Sequence, residues 1–129
     1  MKKLILPVLA CLLTVATYSN SNQEKVQVSI EKITLSTQVN AFFKLIQMGD
    51  FDAVKNLIDA GEDVNKKSNG LTPLMFAARY NKAKIVQLLI DKGAKLKTKS
   101  DTDKMTALEM AKRSKAMDAY KIIKDAEEK

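Results

Sequence analysis

Residues 71–97 read LTPLMFAARYNKAKIVQLLIDKGAKLK and predict two short helices, one after the other. The first is expected to begin at Pro73, because proline suits the first helical position, where its missing N–H has no intrahelical partner. After a break near Asn81, the apolar run IVQLLI predicts a second helix that ends at Gly93, since glycine commonly follows the last helical residue. The stretch therefore predicts a helix-turn-helix unit.

The same unit occurs three times along the chain. Residues 41–65 read AFFKLIQMGDFDAVKNLIDAGEDVN, and residues 106–126 read TALEMAKRSKAMDAYKIIKDA. The matched positions are Phe42, Val54, Leu57 and Gly61 in the first copy, Leu74, Val86, Leu89 and Gly93 in the second, and Leu108 and Ile123 in the third. A fixed period of this length is typical of repeat proteins, in which each unit buries its apolar face against the next. We expect Leu57, Ile58, Leu88, Leu89 and Ile90 to belong to the core.

These motifs resemble the ankyrin repeat, whose pattern is T-P-L-H-x-A-A, a turn, I-V-x-L-L-L and then G-A-D-V-N. The middle copy carries TPLMFAA, IVQLLI and GA, the first copy ends in AGEDVN, and the third begins with TAL. The resemblance implies an all-α ankyrin-repeat solenoid of about three helix-turn-helix units joined by hairpin-like loops. The units are expected at 40–70, 71–104 and 105–129.

Two departures from the family pattern carry expectations of their own. The histidine of the pattern is replaced by Phe43, Met75 or Glu109, so the polar network between threonine and histidine is expected to be absent. Lys112 stands where the middle copy has Ala78, which indicates that this face of the third copy meets solvent. The third copy is therefore expected to be a capping repeat.

Composition excludes most catalytic chemistry. The chain of 129 residues has no histidine, no tryptophan and one cysteine, which removes histidine-based metal sites, serine–histidine and cysteine–histidine pairs and disulfides. Three pairs of acidic residues lie in polar connections, where a solvated role suffices: Asp50 and Asp52, Glu62 and Asp63, and Asp101 and Asp103. We predict no enzyme activity, no cofactor and no bound metal.

The ankyrin resemblance implies protein–protein recognition through a concave face and through the loop tips. The formal net charge of +7 favours a partner with an acidic or mixed surface, whereas few aromatic residues and interspersed acids disfavour nucleic acid. Carried over position by position, the pattern gives the candidate partner-binding residues Arg79, Tyr80 and Arg113 on the concave face and Lys66, Lys67, Lys97 and Lys99 in the loops. A merely solvated charged face is the alternative. We expect a monomer that binds one protein; a dedicated inhibitor or stabiliser of one enzyme in the same compartment is the second hypothesis.

Residues 1–19, MKKLILPVLACLLTVATYS, are typical of a bacterial secretory signal peptide. Lys2 and Lys3 precede an apolar run that is too short to span a membrane, which takes about 20 residues. We expect cleavage after Ser19, with Ala16 as the next choice, and a periplasmic or secreted protein. Cys11 offers a lipid anchor as an alternative, but the chain stays apolar after it, so we expect none.

Two further segments leave alternatives open. Residues 20–39 alternate like a strand and also fit a helix, and they either cap the first repeat or form a linker. The loop from Lys97 to Thr106 is two residues longer than the loop from Asn65 to Thr72. Insertions in repeat arrays often lie on the binding face, while a tolerated surface extension is the plain alternative.

Overall fold

The computed structural model describes residues 41–129. These residues form three consecutive helix pairs, which confirms the predicted all-α stack of helix-turn-helix units. The helices are 41–48 (α1), Phe51–Asp59 (α2), Pro73–Arg79 (α3), Ala83–Asp91 (α4), Ala107–Arg113 (α5) and Met117–Glu128 (α6). The predicted signal peptide and residues 20–39 lie outside the described residues.

Threonine begins the first helix of the second and third units. Thr72 Oγ1 accepts a hydrogen bond from the Met75 N–H at 3.3 Å, and Pro73 takes the first helical position, as predicted. In the third unit the Thr106 hydroxyl accepts from the Glu109 N–H, while the Glu109 carboxylate accepts from the Thr106 N–H at 2.7 Å. This reciprocal pair satisfies two N–H groups that would otherwise lack partners at the helix start. Glu109, which stands where the family pattern has histidine, thus stabilises the same helix end by a carboxylate.

The turns inside the three pairs share one backbone conformation. Gly49, Asn81 and Lys115 occupy equivalent positions with φ of 78°, 53° and 57°. Glycine and asparagine suit this left-handed region, whereas lysine adopts it at a cost. The Asn81 side chain also reaches the next repeat, where its Oδ1 accepts the Ala119 N–H at 3.1 Å.

The core runs between the helix pairs. Helix α3 packs on α5, and α4 packs on both α2 and α6. Leu88 and Leu89 are buried as expected, while Leu57, Ile58 and Ile90 are half-buried at its margin. For Leu57 and Ile58 the reason is position in the stack: among the described repeats, the first has a neighbour on one side only, whereas the middle repeat has one on each side.

The third unit shows the predicted surface character. Ala77, Ala78 and Ala111 are fully buried, whereas Lys112 is exposed. The lysine therefore stands on a face on which no described helix stacks. Among the described residues, no helix is both long and apolar enough to cross a membrane.

Candidate protein-binding groove

A groove of about 570 Å³ lies between the two hairpin loops and the helices α3 and α5. Its apolar lining comes from Leu71 and Met105 in the loops and from Phe76 and Met110 in the helices. A smaller recess of about 200 Å³ adjoins it toward the first repeat. Leu71 and Phe76 line both concavities, so the two form one depression, which we call the groove.

A row of aromatic rings supports the groove. The Phe43 and Phe76 ring centroids are 5.1 Å apart, and those of Phe76 and Tyr80 are 5.0 Å apart. Such edge and tilted contacts stabilise aromatic pairs beyond their buried area. Tyr80 is 39% exposed and packs against Phe76 beside the groove, without belonging to its lining.

Two guanidinium groups line the groove, from the last residues of α3 and α5. Arg79 and Arg113 occupy equivalent positions in successive repeats, which is why the stack brings them to one surface. Arg113 Nη1 donates to the Met105 sulfur at 3.4 Å and lies 3.8 Å from Asp103 Oδ2. Within residues 41–129, Arg79 is in no ion pair. Among the described residues, Arg113 therefore has an acidic neighbour and Arg79 has none.

The inserted loop is fastened to the preceding hairpin. Lys67 Nζ donates to Asp101 Oδ1 at 2.6 Å and to the Lys99 carbonyl at 2.9 Å. The Asp101 N–H donates to the Gly70 carbonyl at 3.0 Å. Gly70 has a φ of 78°, and a Cβ there would lie 3.1 Å from the Asp101 Cβ, so this conformation and close approach favour glycine. We call these contacts the loop clasp.

The loop clasp has an electrostatic signature. The hydrogen bond from Lys67 holds the pKa of Asp101 below its ordinary value, and the nearby charges of Lys67 and Lys104 act in the same direction. The buried Ser100 anchors the base of the loop, because its Oγ accepts the Met105 N–H at 3.1 Å. The longer loop is thus tied to the preceding hairpin and at its own base by hydrogen bonds.

The cations predicted for the loop tips divide into two groups. Lys67 is engaged in the loop clasp, and Lys97 pairs with Glu127 at 3.0 Å. Lys66 and Lys99 are exposed, and neither ammonium forms an ion pair within the described part of the chain. No observation tests which of the seven predicted residues contacts a partner, so that assignment stays a prediction.

Sequence reasoning did not single out Phe76, Met105 or Asp103 as groove residues. Phe76 lies two residues after the Thr-Pro-Leu signature, and Asp103 lies in the loop that is longer by two residues. The insertion was the available signal, but its contacts depend on which helix end it meets. The contact between the loop and a helix end joins residues from different elements, so the local sequence pattern does not predict it.

The paired carboxylates have structural roles or face solvent. Asp50 caps α2 by accepting the Ala53 N–H, and Asp63 accepts the Asn65 N–H at 2.8 Å within its loop. Among residues 41–129, no group of three or more potential ligands is placed to hold a metal ion.

Comparison with known proteins gives concordant matches. A family model described as ankyrin repeats in three copies matches residues 42–128. The mouse ankyrin repeat, SAM and basic leucine zipper domain-containing protein 1 is 41% identical over 68 residues, which are 52% of this chain and 14% of that protein. A putative ankyrin repeat protein of fowlpox virus is 40% identical over 63 residues, 46% of this chain and 18% of the viral protein.

One solved structure adds a likeness in three dimensions. It is the complex of the predatory endopeptidase Bd0816 from Bdellovibrio bacteriovorus with the immunity protein Bd3460. One of its chains superposes with a TM-score of 0.63 and 33% identity, over 67% of this chain and 45% of that chain. This chain thus spans less than half of each protein with which it is compared. Since the family model covers nearly all the described residues, the chain belongs to the ankyrin repeat family.

Proposed function

We propose that this protein is an exported, non-catalytic interaction module that binds one partner protein through the groove and the adjoining loop tips. The observation that carries the proposal is the joint presence of Arg79, Arg113 and an apolar floor in one open depression. Arginine and tyrosine are enriched among the residues that dominate protein interfaces. A partner with an acidic or mixed surface matches this charge, which steers association and gives selectivity.

The loop clasp supports the same proposal through preorganisation. Loops that are ordered before binding lose less conformational freedom on association. Lys67 and Asp101 tie the second hairpin loop to the first, so one wall of the groove is held in place in the free protein. Lys66 and Lys99 stand at these ordered tips and are the loop cations that we assign to the partner.

The test is capture of a partner from the compartment in which the protein resides, followed by reconstitution with the purified partner. We compare the parent with a variant carrying Arg79→Ala, Tyr80→Ala and Arg113→Ala. A matched control carries Met117→Ala, Lys121→Ala and Lys124→Ala, which also removes two cations and one large side chain, from exposed positions on α6.

The expected result is a partner bound by the parent and the control and lost by the groove variant, with all three proteins folded by circular dichroism. Equal binding by all three would move the interface away from the groove. Absence of any reconstituted complex would contradict the interaction function itself.

A second candidate function is inhibition or protection of one enzyme in the same compartment. The observation that favours it is the likeness to a chain of the solved endopeptidase–immunity protein complex. If the captured partner is an enzyme, we expect its activity to change in proportion to the protein added, with the break at a fixed molar ratio. An enzyme whose activity is unchanged in the assembled complex would leave only the simpler binding function.

Export is the remaining part of the proposal, and it is supported by the N-terminal sequence alone. Mass measurement of the protein recovered from a producing bacterium tests it. We expect a chain that begins at Asn20 after cleavage behind Ser19. A mass that includes residues 1–19 in the cell interior contradicts export, and a lipid-modified Cys11 establishes the anchored alternative.

A further inference from the structure

The carboxylate of Asp103 holds a distinctive place in the groove. Of the residues that line it, all within the described part of the chain, Asp103 is the one acid. Its Oδ2 lies 3.8 Å from Arg113 Nη1, which is an ion-pair distance but too long for a direct hydrogen bond. Both side chains are more than half exposed, so the pair is open to solvent and to any approaching group.

The contrast with Asp101 shows how loose this pair is. Asp101 accepts from Lys67 at 2.6 Å and also donates its backbone N–H to Gly70. Asp103 forms neither kind of contact with Arg113, although the two aspartates lie two residues apart in the same inserted loop. Asp101 therefore holds the loop in place, whereas Asp103 lies near the Arg113 guanidinium without a hydrogen bond to it.

The residues around Asp103 are suited to bind an acidic ligand. Phe76 and Met110 supply an apolar floor, and Arg79 lines the same groove without an ion pair among the described residues. In a segment that carries an apolar side chain between carboxylates, the apolar side chain would contact the floor and the carboxylates would pair with the guanidinium groups. A carboxylate that pairs with Arg113 Nη1 competes with Asp103 for that guanidinium.

We propose that Asp103 is an internal substitute for a carboxylate of the partner, holding Arg113 in the free protein and giving way when an extended acidic segment enters the groove. This inference rests on the proposed function and names both the partner chemistry and a selectivity element. A neutral segment does not compete with Asp103 for Arg113. Asp103 therefore weakens binding of segments that bring their own carboxylate more than binding of neutral ones, and only an acidic segment that displaces it gains the contact with Arg113.

The probe is the blocked peptide acetyl-EELEE-amide, with acetyl-QQLQQ-amide as its neutral counterpart. Each is titrated into the full-length 15N-labelled protein at low salt, and the dissociation constant is taken from amide shifts of groove residues. Because exposed ion pairs change an equilibrium by up to about fivefold, we expect Asp103→Asn to tighten binding of the acidic peptide about two- to fivefold. The parent is expected to bind the neutral peptide more weakly than the acidic one.

Two further variants separate this mechanism from a general effect of net charge. Asp118→Asn removes the same charge from an exposed position on α6 that does not line the groove, and it should leave the affinity unchanged. In an Arg113→Gln background, Asp103→Asn should raise the affinity for the acidic peptide less, because the guanidinium for which the two carboxylates compete is absent.

The result that overturns the proposal is an acidic peptide that binds Asp103→Asn no better than the parent, an equal gain in Asp118→Asn, or no shifts at groove residues at all. None of these outcomes touches capture of the partner protein by the parent and its loss with the Arg79, Tyr80 and Arg113 variant. The inference and the proposed function can therefore fail separately.

Discussion

Leu89→Ala tests whether stability depends on position within the stack. Leu89 is fully buried in α4, which packs on both α2 and α6. Removing a buried leucine side chain loses its transfer free energy and leaves a cavity, at a typical cost of about 3 kcal/mol. Domains are stable by roughly 0.05–0.15 kcal/mol per residue, so the 89 residues 41–129 correspond to about 4–13 kcal/mol. The substitution is expected to remove a quarter or more of that free energy of unfolding.

Leu57→Ala is the matched control, since Leu57 holds the same position in the first repeat but is only half-buried. Its cost should be about 1 kcal/mol, because solvent already reaches the site and little cavity forms. At roughly 4–8 °C per kcal/mol for a domain of this size, melting should fall by about 12–24 °C for Leu89→Ala and about 4–8 °C for Leu57→Ala.

Urea and thermal unfolding followed by circular dichroism at 222 nm measure both variants. The reasoning would be refuted if Leu57→Ala cost as much as Leu89→Ala. Burial against neighbouring repeats would then not determine how much each leucine contributes to the free energy of unfolding.

Three other perturbations probe the loop clasp, the helix caps and the third repeat. Lys67 lowers the pKa of Asp101 in the folded state, so the clasp stabilises the protein fully above the ordinary aspartate pKa of about 4 and loses this contribution as pH falls through the lowered value. In thermal melts from pH 2 to 7, the difference in melting temperature between the parent and Asp101→Asn should vanish at the acid end. A difference that stays constant with pH would contradict the assignment. Thr106→Ala should cost about 1 kcal/mol in urea unfolding through loss of the cap on α5, and no change would show that the capping pair contributes nothing. Ala78→Lys should cost more than about 3 kcal/mol because it places a charge in a fully buried position. Lys112→Ala, at the exposed equivalent position, should change the free energy of unfolding by less than about 0.5 kcal/mol. Similar costs at both positions would contradict the capping role of the third repeat.

The sequence predicted the repeat architecture because the period is carried by residues with strong local meaning. Thr72 and Pro73 are typical of a helix start and Gly93 of a helix end, so the units could be placed without any contact information. Lys112 likewise announced its exposed face by replacing an alanine. These inferences depend on one element at a time.

The features that sequence reasoning missed depend on two elements meeting. The loop clasp joins Lys67 to Asp101 across 34 positions, so no local pattern contains it. The groove was anticipated through Arg79 and Arg113, because equivalent positions in successive repeats recur on one surface. Asp103 was weighed only as a candidate acid, since nothing local told which cation it would face.

The two aspartates of the insertion explain why charge alone does not define this surface. Asp101 and Asp103 have the same charge and lie two residues apart, yet Asp101 forms two hydrogen bonds of the loop clasp, whereas Asp103 lies 3.8 Å from Arg113. Neutralising Asp101 removes an ordering contact, which raises the conformational cost of closing the groove wall on a ligand. Neutralising Asp103 removes a competitor for Arg113. The same chemical change should thus oppose binding of an acidic segment at one position and favour it at the other, and a model based on net charge cannot produce both signs.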